Sequence, residues 1–595
     1  MPPTLGVDCV RSVLGSGQGA GDHVACASRS CICPADRRSS AALESPKPEE
    51  EIVARTPLLR LLERLAREHD DAERLGMTPA ELRERRAEAA YSRREFLKRS
   101  GAVGVAVGLG GSAVLARSAR AASTARVAIV GAGIAGLNAA LTLQDKGLAS
   151  TVYEASDRVG GRMHSDLSGY WVNGQVSEFC GELIDSNHKT ILSLANRFNL
   201  PLADLLAAEP AGSTETYWFR GGRYSAAQAD IDFGPVRDAA KNDLTAAGYP
   251  TLYNNYKPAG YALDHISVYD WIETRVPGGH ASAFGRLLDA AYTEEYGAET
   301  TDQSSLNILY LLAYQPGPKG FAVFGVSDER YHIAGGNQRL PEAIAATLPD
   351  VRTGWRMTAV ATNTDGTVTL SFSTPSGPVP VTADQVILTT PFPVLCNLDY
   401  SRAGFDNLKK TAITQLGAGR NAKLQLQFGS RYWNTNGPWG ISNGDSYTDL
   451  GYQNTWDVTR AQAGTTGIMV NYSGGNVAGA FSPSTPYSNA SQNPQVASYA
   501  RSFLKQLETV FPGITKQWNG KATLSTSFRD PNLLCSYSYW KVGQYTAFSG
   551  YEGTAQNAIH FAGEHCSQNF QGFMEGGAAE GTRAALEVYH SLTGK

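Results

Sequence analysis

Residues 131–136 read Gly-Ala-Gly-Ile-Ala-Gly, which is the glycine spacing of a turn that binds a pyrophosphate. This turn follows directly on an apolar β-strand pattern at 126–130 and precedes a helix pattern. Gly131 permits the tight turn, Gly133 lets the backbone approach the phosphates, and Gly136 lets the helix pack closely on the strand. Because the helix N-terminus then faces the phosphate charge, this segment predicts a dinucleotide site.

A carboxylate and two arginines extend the predicted site. A second β-pattern at 151–154 ends in Glu154, in position to bind ribose hydroxyls. Residues 158–162, Arg-Val-Gly-Gly-Arg, follow shortly afterwards and bring Arg158 and Arg162 toward the same loop. A chance glycine-rich turn would lack this combination of strand, helix and terminal acid, so we favour the dinucleotide site.

The second glycine pair, placed after the ribose-binding acid, resembles the flavin-containing amine oxidase family. That family includes monoamine oxidases, polyamine oxidases, L-amino-acid oxidases and lysine-specific histone demethylases. Similar segments recur from about Arg126 to Leu592. The most specific is the block at 559–565 and 572–577, where a short strand, a glycine turn and a small-residue helix start indicate a second close approach of the backbone to a cofactor.

The resemblance implies FAD as the cofactor. Animal monoamine oxidases attach FAD to a Cys at the position that Gln544 matches here, so we expect non-covalent FAD. The cysteines of the body show no metal-like spacing, and no metal site is expected. The residues expected to contact FAD are Gly131, Gly133, Ile134, Ala135, Gly136, Glu154, Ala155, Gly161, Arg162, Gly181, Glu182, Val360, Gly563, Glu564, Phe573 and Met574.

Lys423 is the first candidate catalytic residue. The segment 423–428 alternates, so Lys423, Gln425 and Gln427 share one face of a strand. From the periodicity alone, a solvated strand face is an equally good interpretation. The resemblance favours another: Lys423 matches the family lysine that holds a water at flavin N5, where a cation would stabilise developing negative charge.

Two aromatic side chains are expected to flank the substrate. Phe573 occupies the position of one aromatic wall beside the flavin in the family. For the facing wall we predict Tyr545, with Trp540 and Tyr539 as alternatives. Two such rings would align a small amine and favour its neutral, oxidisable form by desolvation.

The substrate class stays open between an amine and an L-amino acid. Snake-venom-like L-amino-acid oxidases place an Arg for the substrate carboxylate three residues after the glycine that Gly181 matches, and here that residue is Ile184. Arg330, Arg339 or Arg420 could supply the charge instead. The leading hypothesis is a primary-amine oxidase that reduces O₂ to H₂O₂. A flavin desaturase and a non-catalytic flavin-binding protein are further alternatives.

The predicted fold class is α/β, with a Rossmann-like FAD-binding domain interleaved with a substrate domain of mixed sheet and helices. By analogy with the family, the FAD-binding domain gathers 123–200, 331–410 and 538–595. The substrate domain gathers 201–330 and 411–537. Oligomeric state stays open, with a homodimer as one alternative.

The N-terminal part of the chain contains a predicted export signal. Residues 92–98, Ser-Arg-Arg-Glu-Phe-Leu-Lys, match the twin-arginine signal, a short uncharged run follows, and 119–121 offer a small-x-small cleavage site. The predicted signal spans 92–122, and we expect an exported, periplasmic or secreted protein that meets the twin-arginine machinery. Residues 1–91 form a leader, of which 1–76 are either an over-extended reading frame or a real cytoplasmic segment. The net charge of −4 gives no indication of a nucleic-acid partner.

Export can be tested by changing Arg93 and Arg94 together to Lys. We expect the variant to stay in the cytoplasm, because the signal depends on the paired guanidinium groups, while the native protein is exported with a mature N-terminus near Ala122. Cell fractionation and N-terminal sequencing measure both. Undiminished export of the double variant by the same route would contradict the prediction.

Overall fold

Five short parallel strands form the sheet on which the glycine loop is mounted. In this computed structural model, which describes residues 125–315 and 321–594, Val127–Val130 is the central strand and all four of its residues are buried. Burial on both faces is typical of a parallel sheet covered by helices, and it explains the unbroken apolar run. The strand order is Ile559–Phe561, Gln385–Leu388, Val127–Val130, Thr151–Tyr153 and Val351–Arg352.

A larger, mixed sheet of eight strands forms a second layer. Its central strand is Asn421–Phe428, whose eight residues are all buried, flanked by antiparallel partners on both sides. The strand order is Tyr487–Asn489, Trp518–Ser525, Asn421–Phe428, Gly467–Gly474, Asn454–Asp457, Ser442–Thr448, Thr214–Phe219 and Gly222–Tyr224.

Smaller sheets and fourteen helices complete the part of the chain that the structure describes. A four-stranded sheet has the strand order Gly377–Ala383, Val368–Thr374, Arg356–Thr362 and Asp399–Arg402. There are also three pairs of short strands: Gly417–Ala418 with Ser538–Tyr539, Ser165–Asp166 with Ser177–Glu178, and Leu202–Asp204 with Tyr331–Ile333. The α-helices are Ile134–Asp145, Lys189–Arg197, Ala226–Ala247, Pro258–Asp264, Val268–Arg275, Ala283–Tyr296, Ser305–Leu312, Arg339–Ala345, Phe392–Leu395, Asn407–Gln415, Gly475–Gly479, Pro494–Val510, Gln544–Phe548 and Met574–Thr593.

The predicted α/β class is confirmed, since a parallel Rossmann-like sheet and a mixed sheet with helices are both present. The parallel sheet takes strands from three separated stretches of the chain. The domain boundaries themselves stay a prediction. The leader and the twin-arginine signal lie outside the described residues. Within the described ranges, no helix has both the length and the apolarity needed to cross a bilayer.

The helix Met574–Thr593 crosses the helix Ile134–Asp145 at very short range. A Cβ built on Gly581 would lie 2.2 Å from the carbonyl oxygen of Ala135, which is far inside contact distance. In the same region, a Cβ on Gly136 would lie 1.9 Å from the carbonyl oxygen of Gly131. Glycine is therefore required at both positions, because any side chain would force the helices and the loop apart.

Replacing Gly581 by Ala tests this contact. Although alanine favours a helix intrinsically, we expect Gly581→Ala to lower the free energy of unfolding by about 1–3 kcal/mol through overpacking. Gly222→Ala is the control, since Gly222 lies in the strand Gly222–Tyr224, has no positive φ and has open space where a Cβ would be placed. It should leave stability unchanged or raise it by up to about 1 kcal/mol. Thermal unfolding compares the two, and equal melting temperatures would contradict the proposed contact.

Candidate active site

One cavity of about 590 Å³ runs from the glycine loop to the face of the eight-stranded sheet. At one end lie Gly131 and Gly133, with the start of the helix Ile134–Asp145. At the other end lie Lys423 and a group of aromatic and acidic side chains. The cavity therefore joins a phosphate-binding type of turn to a chemically distinct second region.

Backbone contacts fix the loop at the first end. The amide of Gly131 donates to the carbonyl of Tyr153 at 2.7 Å, which ties the turn to the neighbouring strand. Glu154 follows that strand, is 8% exposed, and its Oε2 accepts from the amide of Ala132 at 2.8 Å. The carboxylate is thus held at the cavity wall, where it retains lone pairs for ribose hydroxyls.

A buried ion pair closes the middle of the cavity. Arg162 Nη1 lies 2.7 Å from Glu564 Oε1, and Glu564 also accepts from the Ser538 hydroxyl at 2.7 Å and the Gly572 amide at 2.9 Å. Burial favours the neutral acid, but the charge of Arg162 and the hydrogen bonds from Ser538 and Arg162 together outweigh it and hold the pKa of Glu564 below its usual value. Glu564 is therefore an anchored anion that positions Arg162 at the cavity wall.

The helix Met574–Thr593 directs its N-terminus at the same cavity. Phe573, Met574 and Gly577 all line it. Met574 packs so tightly on Gly181 that a Cβ there would lie 3.1 Å from the Met574 side chain. A second helix N-terminus thus places partial positive charge beside the ligand space.

The residues present fit FAD. Two buried polar atoms on the cavity wall, His164 Nδ1 and Gln571 Nε2, have no hydrogen-bond partner among the described residues, as expected where a polar ligand is the partner. The predicted FAD-contacting residues that line the cavity are Gly131, Gly133, Ile134, Ala135, Glu154, Ala155, Gly161, Arg162, Gly181, Glu182, Gly563, Glu564, Phe573 and Met574.

Two of the predicted cofactor residues do not reach the cavity. Gly136 lies beneath the loop, where its missing side chain allows the close packing described above. Val360 is 1% exposed inside the four-stranded sheet. Trp355, Arg356 and Met357, from the start of the same strand, line the cavity in its place.

Lys423 lines the cavity, and its side chain is 8% exposed. Its ammonium donates to Glu182 Oε2 at 2.6 Å and to the carbonyl of Cys180 at 2.8 Å. The other oxygen of Glu182 accepts from the Trp456 indole at 2.9 Å. A solvated strand face is therefore excluded, because Lys423 is one half of a buried ion pair at the cavity wall and two of its three ammonium donors have protein partners.

The aromatic pair was only partly located from the sequence. Phe573 lines the cavity, but Tyr545 and Trp540 do not: their rings pack on each other with centroids 4.9 Å apart, and the Tyr545 hydroxyl donates to Asn307 at 3.0 Å. The prediction of Tyr545 as the facing wall is not supported by this geometry, nor are the alternatives Trp540 and Tyr539.

Tyr537 and Tyr472 are two of the tyrosines that line the cavity. Their hydroxyls are 2.9 Å apart, and the Tyr537 hydroxyl also lies 3.1 Å from the carbonyl of Glu294. Sequence reasoning missed both residues. Tyr537 stands in the same short aromatic stretch as Tyr539, and only the pairing of Ser538–Tyr539 with Gly417–Ala418 fixes where each ring lies.

The position of Gln544 also differs from the expectation. Its side chain donates to the carbonyl of Gln415 and does not line the cavity, so it gives no information about flavin attachment. Ser536, immediately before Tyr537, lines the cavity, and Cys535 beside it is buried with its thiol 3.4 Å from the carbonyl of Leu533.

Comparison with known proteins agrees with this site. The model of the flavin containing amine oxidoreductase family matches residues 134–589. An L-amino-acid oxidase of Sistrurus catenatus edwardsii is 22% identical over 78% of this chain and 86% of its own length. The L-amino acid oxidase Bs29 of Bothriechis schlegelii is 24% identical over 54% of this chain, and the match spans 63% of that protein.

Among solved structures, the cyclohexylamine oxidase from Brevibacterium oxydans IH-35A has the same fold, with a TM-score of 0.66 and 20% identity over 79% of this chain and 99% of that one. A putrescine oxidase bound to putrescine has a TM-score of 0.65 and 19% identity, covering 78% of this chain and 99% of its own. Since the family model covers most of the chain and the cavity holds the residues that fit a flavin, this protein belongs to the flavin-containing amine oxidoreductase family.

Proposed function

We propose that the protein is an exported FAD-dependent oxidase of primary amines. The observation that carries the proposal is the single cavity that joins the dinucleotide loop to Lys423, Phe573 and Tyr537. In the overall reaction, R-CH₂-NH₂, O₂ and H₂O give R-CHO, NH₃ and H₂O₂. Bound FAD supplies the two-electron oxidation and the transfer of electrons to O₂.

The side chains at this end orient and desolvate the amine. Burial and the neighbouring tyrosine keep the pKa of Tyr537 well above its usual value, so its hydroxyl stays a neutral hydrogen-bond donor. The rings of Phe573 and Tyr537 restrict the position of a small amine. Desolvation there, together with the positive charge of Lys423, favours the unprotonated amine, which is the form with a lone pair to oxidise.

The charges of the cavity favour an amine over an amino acid. The arginines that line it are Arg158, Arg162 and Arg356, which belong to the dinucleotide end, and Arg162 is committed to Glu564. The three arginines considered for a substrate carboxylate do not line the cavity. Their side chains bind elsewhere, Arg330 to Asp204, Arg339 to the carbonyl of Ala334, and Arg420 near Asn476.

The second candidate is an L-amino-acid oxidase that gives a 2-oxo acid. The two relatives named above favour it, since both are L-amino-acid oxidases. Such enzymes are expected to carry an Arg at the position of Ile184, which is fully buried here. The carboxylate of an amino-acid substrate would therefore have to be recognised by tyrosine hydroxyls. We also propose that FAD is held non-covalently.

A peroxide-release screen tests the function. The purified protein is incubated with monoamines, diamines and all L-amino acids, and H₂O₂ is measured with a coupled peroxidase. We expect release with amines at rates well above those with any amino acid. Oxidation of amino acids to 2-oxo acids would establish the second candidate, and a flavin spectrum that no substrate bleaches would indicate a binding protein.

Acid precipitation of the same sample should leave the flavin in the supernatant.

Lys423 is expected to control the oxygen step more than amine binding. Because a preorganised charge of this kind contributes about 2–4 kcal/mol, Lys423→Met should slow the oxygen half-reaction roughly 10²–10³-fold, with a much smaller change in apparent amine affinity. Stopped-flow mixing of anaerobically reduced enzyme with O₂, normalised to bound FAD, measures the rate.

Two controls separate this role from stability. Lys423→Met also leaves Glu182 buried without its partner, a loss of about 3–5 kcal/mol, and adding Glu182→Gln should recover stability but not the rate. Lys409→Met removes another buried lysine, whose ammonium donates to the carbonyl of Tyr551 at 2.8 Å and which does not line the cavity. If its oxygen step slowed as much as that of Lys423→Met, a specific role for Lys423 would be refuted.

A further inference from the structure

Three carboxylates line the cavity beyond the aromatic rings. Glu294 and Glu295 lie in the last turn of the helix Ala283–Tyr296, and Glu329 lies on the loop that precedes the strand Tyr331–Ile333. The pattern of the helix alone gives no reason for acidic residues here. They are at the cavity because Gly297, which ends the helix, packs directly on Asn421: a Cβ on Gly297 would lie 2.2 Å from the Asn421 side chain.

The placement is electrostatically unfavourable for the empty protein. The C-terminal end of a helix carries partial negative charge, which repels the carboxylates of Glu294 and Glu295. Burial adds to this cost, and Asp185 is a further acidic group close to Glu295 and Glu329. Burial raises the pKa of Glu295 to about 7 and raises the pKa values of Glu294 and Glu329 well above the usual range.

No cation compensates these groups. Among the described residues, Glu294, Glu295 and Glu329 take part in no ion pair. Arg460 acts on Glu329, but it is paired with Glu209 at 2.9 Å and with Asp445. Buried acids that are kept in a cavity without a cationic partner are typical of a functional site, and here a ligand could supply the opposite charge.

Glu294 carries a carboxylate oxygen that is free to meet such a ligand. The residue is 1% exposed, and its Oε1 accepts from the Asn454 amide at 3.0 Å. Its other oxygen has no hydrogen-bond partner in the described part of the chain, although the residue lines the cavity. Tyr472 and Tyr537 line the same cavity, and the Tyr537 hydroxyl lies 3.1 Å from the carbonyl of Glu294. Aromatic rings close to a bound ammonium group add to its attraction.

We propose that Glu294, Glu295 and Glu329 form a subsite for a second, distal ammonium group, so that the preferred substrate is a diamine or polyamine. This inference rests on the proposed amine-oxidase function, because it places the reacting amine and the distal amine of one substrate in two parts of the same cavity. The amine that reacts lies in the desolvated space near Lys423, where the neutral form is favoured. The distal amine stays protonated among the carboxylates, which repay its desolvation.

Glu295→Gln and Glu329→Gln test the subsite. The substrates are 1,4-diaminobutane and 1-aminobutane, which differ in the distal amine. We expect the native enzyme to prefer the diamine, and each variant to lower the ratio of kcat/KM for diamine over monoamine at least 30-fold, mainly through KM. Asp238→Asn is the matched control, since it removes one exposed carboxylate from the helix Ala226–Ala247 outside the cavity, and its ratio should stay within twofold of native.

Thermal unfolding gives a readout that needs no turnover. Each variant should melt above the native protein without ligand, because it replaces a buried acid whose raised pKa lowers the stability of the folded protein at neutral pH. 1,4-Diaminobutane should raise the native melting temperature more than that of either variant. If the diamine stabilises the native protein through these residues but no substrate releases peroxide, the proposed oxidase function fails and the subsite stands. If amines are oxidised but the variants keep the native ratio and the native diamine shift, the subsite is overturned and the oxidase function stands.

Discussion

The whole site depends on how closely two helices approach each other. Because Gly581 has no side chain, the helix Met574–Thr593 lies directly on the backbone of Ala135, and both helices point their N-termini at one space. Each N-terminus carries partial positive charge, which suits a pyrophosphate. Arg162 lies at the same wall, where its charge is balanced by that of Glu564.

Polar side chains, rather than apolar packing alone, attach the eight-stranded sheet to this space. Lys423, Gln425 and Gln427 face the segment 172–182, and their side chains donate to Glu182, to the carbonyl of Glu178 and to the carbonyl of Val172. Each of these bonds is directional, and buried polar groups without partners are costly, so the strand is held in a single register against the segment. The alternating polar residues, which in the sequence resemble a solvated strand face, therefore lie in the interior between the strand and this segment.

The features that sequence reasoning located are those whose signal is local. The glycine turn, Glu154 and Arg162 lie within one short stretch, and the physical requirements of phosphate binding act on neighbouring positions. Lys423 is different, because the alternation of its strand was equally compatible with a solvated face and only the resemblance to the family pointed to the cavity. The facing aromatic wall was assigned to Tyr545, with Trp540 and Tyr539 as alternatives, whereas the ring that lines the cavity is that of Tyr537, whose place follows from a strand pair formed with the distant segment Gly417–Ala418.

The carboxylates were missed for a related reason. Glu294 and Glu295 close an ordinary amphipathic helix, and two acidic residues at a helix end are usually solvated. Only the contact of that helix with the strand Asn421–Phe428 makes them part of a cavity, and that contact joins segments far apart in the chain. Val360 illustrates the limit in the opposite direction, because it lies in the middle of the strand Arg356–Thr362 and only the start of that strand lines the cavity.

The contact between the first and last helices also sets the order of events during synthesis. The side chain of Asn138 donates to the carbonyl of Ala578, 440 positions away, so the ligand space has no second wall until nearly the whole chain has left the ribosome. Early segments can form the glycine turn, but they cannot retain a cofactor. Contacts of such long sequence separation form late and slowly. Cofactor capture is therefore tied to the last step of folding, and a chain that ends early is left as an open, unliganded intermediate for the proteolytic machinery of the cell to remove.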